Sequence, residues 1–292
     1  MSLADRRSFL KSPLAAGAAA LAWRGARSGA ADPEAEIAFG LVTYLWAKDW
    51  DLPTILKHCS AAQVRGVELR TEHAHKVEPS LDAAGRAEVK RRFADSPVQL
   101  VGLGSNEAFP YPATKAVQKA IENAKAFVKL AHDVGATGVK VKPNDLPKNV
   151  PEEKTIEQIG RALNVLGAFG ADYGQQIRLE VHGSCSPLPI MKRIMDVADH
   201  PNVAVCWNSN GTDLQGAGLE ANFNLVKPRL GATTHVRQLD SKGYPWAELV
   251  KLFVKAGYRG WLLLEAHDSA KDPVRDLARQ REILAELVAK AK

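Results

Sequence analysis

Arg178-Leu179-Glu180-Val181-His182-Gly183 is the stretch from which the fold can be read. An apolar run ends at a carboxylate and an imidazole and then breaks at a glycine, the pattern of a buried strand that delivers polar side chains to its C-terminal mouth. The design recurs downstream. Val203-Ala204-Val205-Cys206-Trp207-Asn208 ends in an amide, Ala232-Thr233-Thr234-His235-Val236-Arg237 carries an imidazole, and Trp261-Leu262-Leu263-Leu264-Glu265-Ala266-His267 ends in a second carboxylate. Four successive strands thus each offer one potential metal ligand: Glu180, Asn208, His235 and Glu265.

Outward from these strands, strand-like and helix-like segments alternate along the chain. Strands are predicted at 37–43, 66–70, 98–103, 138–142, 177–182, 203–208, 233–239 and 260–265. Helical patterns follow at 52–62, 81–93, 115–134, 152–173, 188–198, 219–226, 246–256 and 274–290. Eight βα units in about 255 residues match an α/β fold of the (β/α)8 TIM barrel type. An open doubly wound sheet fits less well, because the turn after the first strand, Thr43-Tyr44-Leu45-Trp46-Ala47, lacks the glycines of a dinucleotide fingerprint. In a barrel the strand C-termini share one face, so the four polar residues converge there. Period two sends Glu68 with Arg70, and Lys140 with Lys142, to the same face, inward if the strand register is right and merely solvated if it is off by one. Facing inward, they would meet substrate hydroxyls or an anionic group. His182 and Arg237 join them as predicted substrate contacts, and Trp46 lies in a loop suited to stacking on a sugar ring.

The first thirty-one residues read differently. Asp5-Arg6-Arg7-Ser8-Phe9-Leu10-Lys11 precedes an apolar, alanine-rich run of about eleven residues, and Ser28 to Ala31 offer small residues for cleavage. Residues 1–31 resemble a twin-arginine export signal, which predicts a periplasmic, exported protein with the barrel domain at 32–292. The apolar run falls short of the ~20 residues of a spanning helix, so no membrane span is expected in the mature form. Five basic residues against Asp5 give this segment a net charge of +4 and leave +2 of the chain's +6 for the remainder. That balance is no nucleic-acid footprint. An apolar content of 46% is enough for a sizeable core, and three cysteines with no CxxC spacing read as buried thiols.

The ordered set Leu179-Glu180-Val181-His182-Gly183, Cys206-Trp207-Asn208, His235-Val236-Arg237 and Leu264-Glu265-Ala266 resembles the xylose isomerase-like superfamily of sugar isomerases and epimerases, over about residues 37–290. The resemblance implies one divalent metal ion held by Glu180, the residue at position 208, His235 and Glu265. It also implies that Glu180 and Glu265 are the catalytic acid/base pair that moves a proton next to a carbonyl through an enediolate. Two carboxylates, an imidazole and an amide oxygen suit Mn, Mg, Co or Zn by donor chemistry alone. Most relatives carry aspartate at position 208, often with histidine three residues on, whereas this chain reads Asn208-Ser209-Asn210-Gly211. Asn210 and Asp213 stand near enough in sequence to substitute as donors. The expected activity is therefore a metal-dependent sugar isomerase or epimerase acting on a small carbohydrate. A keto-sugar lyase or dehydratase on the same site, or a non-catalytic sugar-binding barrel, is the alternative, and a homo-oligomer stays open. A repair nuclease of the endonuclease IV type would need further metal ligands, and Ser105-Asn106-Glu107 offers none of the required histidine.

Overall fold

The eight predicted strands form one parallel sheet. A computed structural model describes residues 37–268 and 270–292, so the segment read as an export signal lies outside the described residues. The strands are β1 (Ile37–Val42), β2 (Gly66–Arg70), β3 (Gln99–Ala108), β4 (Gly138–Lys142), β5 (Gln176–Glu180), β6 (Val203–Cys206), β7 (Thr233–Val236) and β8 (Gly260–Leu264). Each is followed by a helix: α1 (Leu52–Ala61), α2 (Ala83–Ala94), α3 (Thr114–Val134), α4 (Glu152–Asp172), α5 (Leu188–Val197), α6 (Leu219–Val226), α7 (Trp246–Lys255) and α8 (Pro273–Ala291). The sheet order is β6-β5-β4-β3-β2-β1-β8-β7, which runs in chain order and joins β1 to β8. Isolated bridges Val205–Leu230 and Asn208–His235 span β6 and β7 and bring the sheet round on itself. The result is the TIM barrel that the alternation predicts.

Parallel strands covered by helices read as continuous apolar runs, because both faces are buried. The main core accordingly lies between strands and helices, with Leu69, Val139, Val141, Leu179 and Val205 against Leu130, Ile159, Leu163 and Leu249. Val42, Val101 and Leu263 form a small separate cluster. Leu263 is the register partner of His235, which sets both on the inner face of the barrel. Helix ends follow local chemistry. Asp51 caps α1 by accepting from Thr54 N at 2.9 Å, and Gly135 ends α3 in the left-handed region.

Only β2 and β4 keep their predicted bounds; of the six strands that differ, β5 and β3 have a cause visible in the structure. β5 stops at Glu180 rather than 182, because the chain turns at Gly183, where φ is +66°. β3 runs on to Ala108 through a shift of register against β4, which carries Asn106 and Glu107 toward the mouth. A Cβ on Gly183 would sit 2.2 Å from the carbonyl oxygen of Asn144, in the loop after β4. Positive φ and this backbone contact act together, so Gly183→Ala should cost more than about 2 kcal/mol in urea unfolding. A loss below about 0.5 kcal/mol would mean that the two loops separate without penalty.

Candidate active site

The inner face of the barrel is polar where the strands end. Glu180 closes β5, Asn208 follows β6, His235 lies in β7 and Glu265 follows β8; all four are buried. One ligand atom each from Glu180, His235 and Glu265 lies within 4.8 Å of the others. His235 Nδ1 is 3.4 Å from Glu180 Oε1 and 3.8 Å from Glu265 Oε2, and is buried without a hydrogen bond. On the other side of the ring, Nε2 meets Glu68 Oε1 at 3.1 Å. A histidine tied by one nitrogen to a carboxylate and open at the other is the arrangement that orients an imidazole toward a metal ion. The residues present therefore fit a divalent cation: Glu180, Glu265 and His235 would supply its donor atoms.

Asn208, predicted as the fourth ligand, offers the wrong end in this structure. Its amide nitrogen donates to Glu180 Oε1 at 2.9 Å and to Glu265 Oε2 at 3.1 Å. The cause is electrostatic, since two carboxylates attract the positive end of the amide dipole. Asn210 and Asp213 supply no donor either. Asn210 donates to the carbonyls of Val181 and Asn208, and Asp213 accepts from Asn210 N at 2.9 Å and from the Tyr244 hydroxyl at 2.6 Å.

The predicted substrate contacts separate into two groups. Glu68, expected to reach substrate, is fully enclosed beneath His235 and acts on the imidazole instead. Lys140 is also enclosed, with Nζ 2.7 Å from Glu180 Oε2. Arg70, Lys142, His182 and Arg237 stand nearer the opening. Arg70 Nη1 comes within 3.9 Å of Glu265 Oε1, and its guanidinium lies 4.8 Å from the centre of the Tyr44 ring. Lys142 Nζ donates to Asn106 Oδ1 at 3.0 Å. Trp46 Nε1 donates to Asp268 Oδ1 at 3.3 Å, which ties the loops after β1 and β8 together.

Burial works to raise the pKa of Glu180, but Lys140 and His235 outweigh it and hold the carboxyl well below the usual range. Glu68 shows the same contest, won by His235. Burial opposes charge on His235, yet Cys206, Glu68 and Glu180 push its pKa well above the ordinary imidazole value. Nearer the opening the balance reverses. Burial and the adjacent Lys140 push Lys142 down to about 8, and burial lowers His182.

Three features escape the sequence reading. Gly102 and Gly104 face the interior from β3, where a Cβ on Gly102 would lie 3.0 Å from Arg178 Nη1 and one on Gly104 3.0 Å from Glu68 Oε1. Spacing by two on a strand is the signal that could have found them. Arg178 fills the space below, donating to the Val101 carbonyl at 2.7 Å. Asn106 lies beyond the predicted end of its strand, and no periodicity marks it.

Two variants test these contacts. Lys140→Met leaves Glu180 buried without its cation and should destabilise by about 3 kcal/mol or more, whereas adding Glu180→Gln should restore most of the loss. Additive losses in urea unfolding would show that the pair is not coupled. Asp213, the second case, has its carboxyl raised by burial from 3.8 to about 7. A group that binds its proton more tightly when folded stabilises fully below its unfolded pKa, and that contribution is lost as pH climbs toward the folded value. The melting temperature of Asp213→Asn should therefore gain on the wild type between pH 4 and pH 7 and keep a constant offset above; a pH-independent offset throughout would refute the buried acid.

The description "Xylose isomerase-like TIM barrel" matches residues 56–287. No curated protein sequence matches the chain. Among solved structures, 3-keto-D-glucoside 4-epimerase from E. coli superposes with a TM-score of 0.68 at 14% identity, over 87% of this chain and 99% of the other. D-psicose 3-epimerase from Clostridium cellulolyticum H10, solved with D-tagatose, gives 0.71 at 13% identity over 87% and 99%. A probable 3-DHS dehydratase from Bacillus anthracis gives 0.66 at 12% identity over 85% and 98%. At these identities the likeness is one of fold.

Proposed function

We propose, for a chain that belongs to the xylose isomerase-like TIM barrel family, that it is a metal-dependent sugar isomerase or epimerase that moves a proton beside a carbonyl. The observation that carries this reading is His235, whose Nε2 is held by Glu68 while Nδ1 is left bare between Glu180 and Glu265. Glu180, His235 and Glu265 would hold one divalent ion, which supplies polarisation of a carbonyl and acidification of the neighbouring C–H. The names of the epimerases of like fold support the same class.

The chain's own residues divide the remaining work. Glu180 from β5 and Glu265 after β8 each present one carboxylate at the barrel mouth, so one can accept the proton of a sugar carbon bound over the cluster and the other can return it. Positioned proton transfer of this kind is worth ~10²–10⁴ in rate. Lys140 holds Glu180 Oε2 and leaves Oε1 turned toward His235, which fixes the direction from which Glu180 acts. His182, whose Nδ1 is buried and unpartnered, stands ready to donate to or accept from a substrate hydroxyl. The same placement of carboxylates also serves elimination from a keto sugar, the second reading, which the dehydratase of like fold supports. Export through the twin-arginine segment at 1–31 belongs to this proposal.

Purified protein should contain a divalent metal ion, and in deuterated water it should exchange a proton at a sugar carbon next to the carbonyl. Chelation should abolish exchange, and Glu180→Gln and Glu265→Gln should each lower it by about 10²-fold or more. Undiminished exchange in both variants would remove their acid/base roles.

A further inference from the structure

The mouth of the barrel holds more positive charge than its own carboxylates neutralise. Glu68, Glu180, Glu265 and Asp213, the last with its carboxyl pushed up by burial and within electrostatic reach of Arg237, are the buried acids, against Arg178, Lys140, Arg70, Lys142 and Arg237. Lys140 is committed to Glu180 at 2.7 Å, and Arg70 meets Glu265 only at 3.9 Å. Among the described residues, Lys142 and Arg237 have no carboxylate in ion-pair range. Lys142, only 9% exposed, and Arg70 instead converge on one acceptor, Asn106 Oδ1, at 3.0 and 3.4 Å. A neutral amide oxygen aims two cations but removes no charge. The carboxylate behind it, on the exposed Glu72, bonds to the Asn106 amide nitrogen at 3.1 Å. Further donors are buried without acceptors at the same opening: Arg70 Nε, Arg237 Nε and an imidazole nitrogen, His182 Nδ1.

Uncompensated cations in an enclosed, low-dielectric cleft favour an anion in the cleft, and the hydroxyls of a neutral sugar would leave them uncompensated. A divalent ion on Glu180, His235 and Glu265 would add to the excess. We propose that the substrate of this site is an anionic sugar, bearing a carboxylate or phosphate that Lys142 and Arg70 grip while the reacting carbons lie toward Glu180 and Glu265. This rests on the proposed sugar chemistry for the identity of the ligand, and on the charge of the mouth for its sign. Asn106 is the residue that positions the grip, by holding both cations to one point.

The test compares matched sugars by calorimetry on the full chain with metal added: D-glucuronate against D-glucose for a carboxylate, and D-ribose 5-phosphate against D-ribose for a phosphate. The anionic member of at least one pair should bind about tenfold or more tightly, and the pair that discriminates identifies the anion. Lys142→Met should erase most of that preference, with Arg70→Met as a second variant should the first not fold. Equal binding within both pairs, or a preference that both variants leave intact, overturns the proposal. Preferred binding of an anionic sugar that undergoes no proton exchange would sink the isomerase reading and leave this one standing; exchange on neutral sugars without charge preference would do the reverse.

Discussion

Carboxylates cannot be buried inside a barrel unless other strands send cations to meet them, and this constraint organises the interior. Glu68 from β2 and Glu180 from β5 sit on either side of His235 from β7, with Lys140 from β4 against Glu180 and Arg178 from β5 below Glu68. Removing one partner of such a set leaves a charge stranded in low dielectric, which is costlier than never having buried the pair. The long side chains also need room. β3 provides it by facing Gly102 and Gly104 inward, so the charged layer fills space that side chains on β3 would otherwise occupy.

Much of this was legible in the sequence for a simple reason. Strand and helix periods are local, and eight alternating units leave few folds to choose from. The convergence of Glu180, His235 and Glu265 was also legible, because strand ends in a barrel meet on one face whatever lies between them. What could not be read was partner choice. Period two sets Glu68 inward but does not say whether it meets substrate or an imidazole five strands away in sequence; the register of β2 against β3 and the position of β7 decide that. Asn208 illustrates the same limit. Its residue type permits an oxygen donor, whereas the side chain's orientation follows from two carboxylates placed by other strands.

Lys140 and Asn208 together change the electrical character of the cluster. An aspartate at position 208 would add a negative charge where this chain has a neutral amide, and Lys140 offsets one of the two glutamates that remain. A cation entering here meets a weaker field than three free carboxylates would create. The compensation extends to Glu180 itself, whose Oε2 is occupied by Lys140 and whose Oε1 alone faces His235. Oε1 is thus the Glu180 oxygen left to Asn208 and His235.

The join between β6 and β7 has the isolated bridges Val205–Leu230 and Asn208–His235, where the other neighbouring strands pair in ladders. Local opening concentrates where backbone pairing is sparsest. In this barrel the sparse seam runs between two members of the polar cluster, Asn208 and His235. The barrel wall is thus thinnest in backbone pairing where Asn208 and His235 stand, and isolated bridges rather than a ladder set the distance between them.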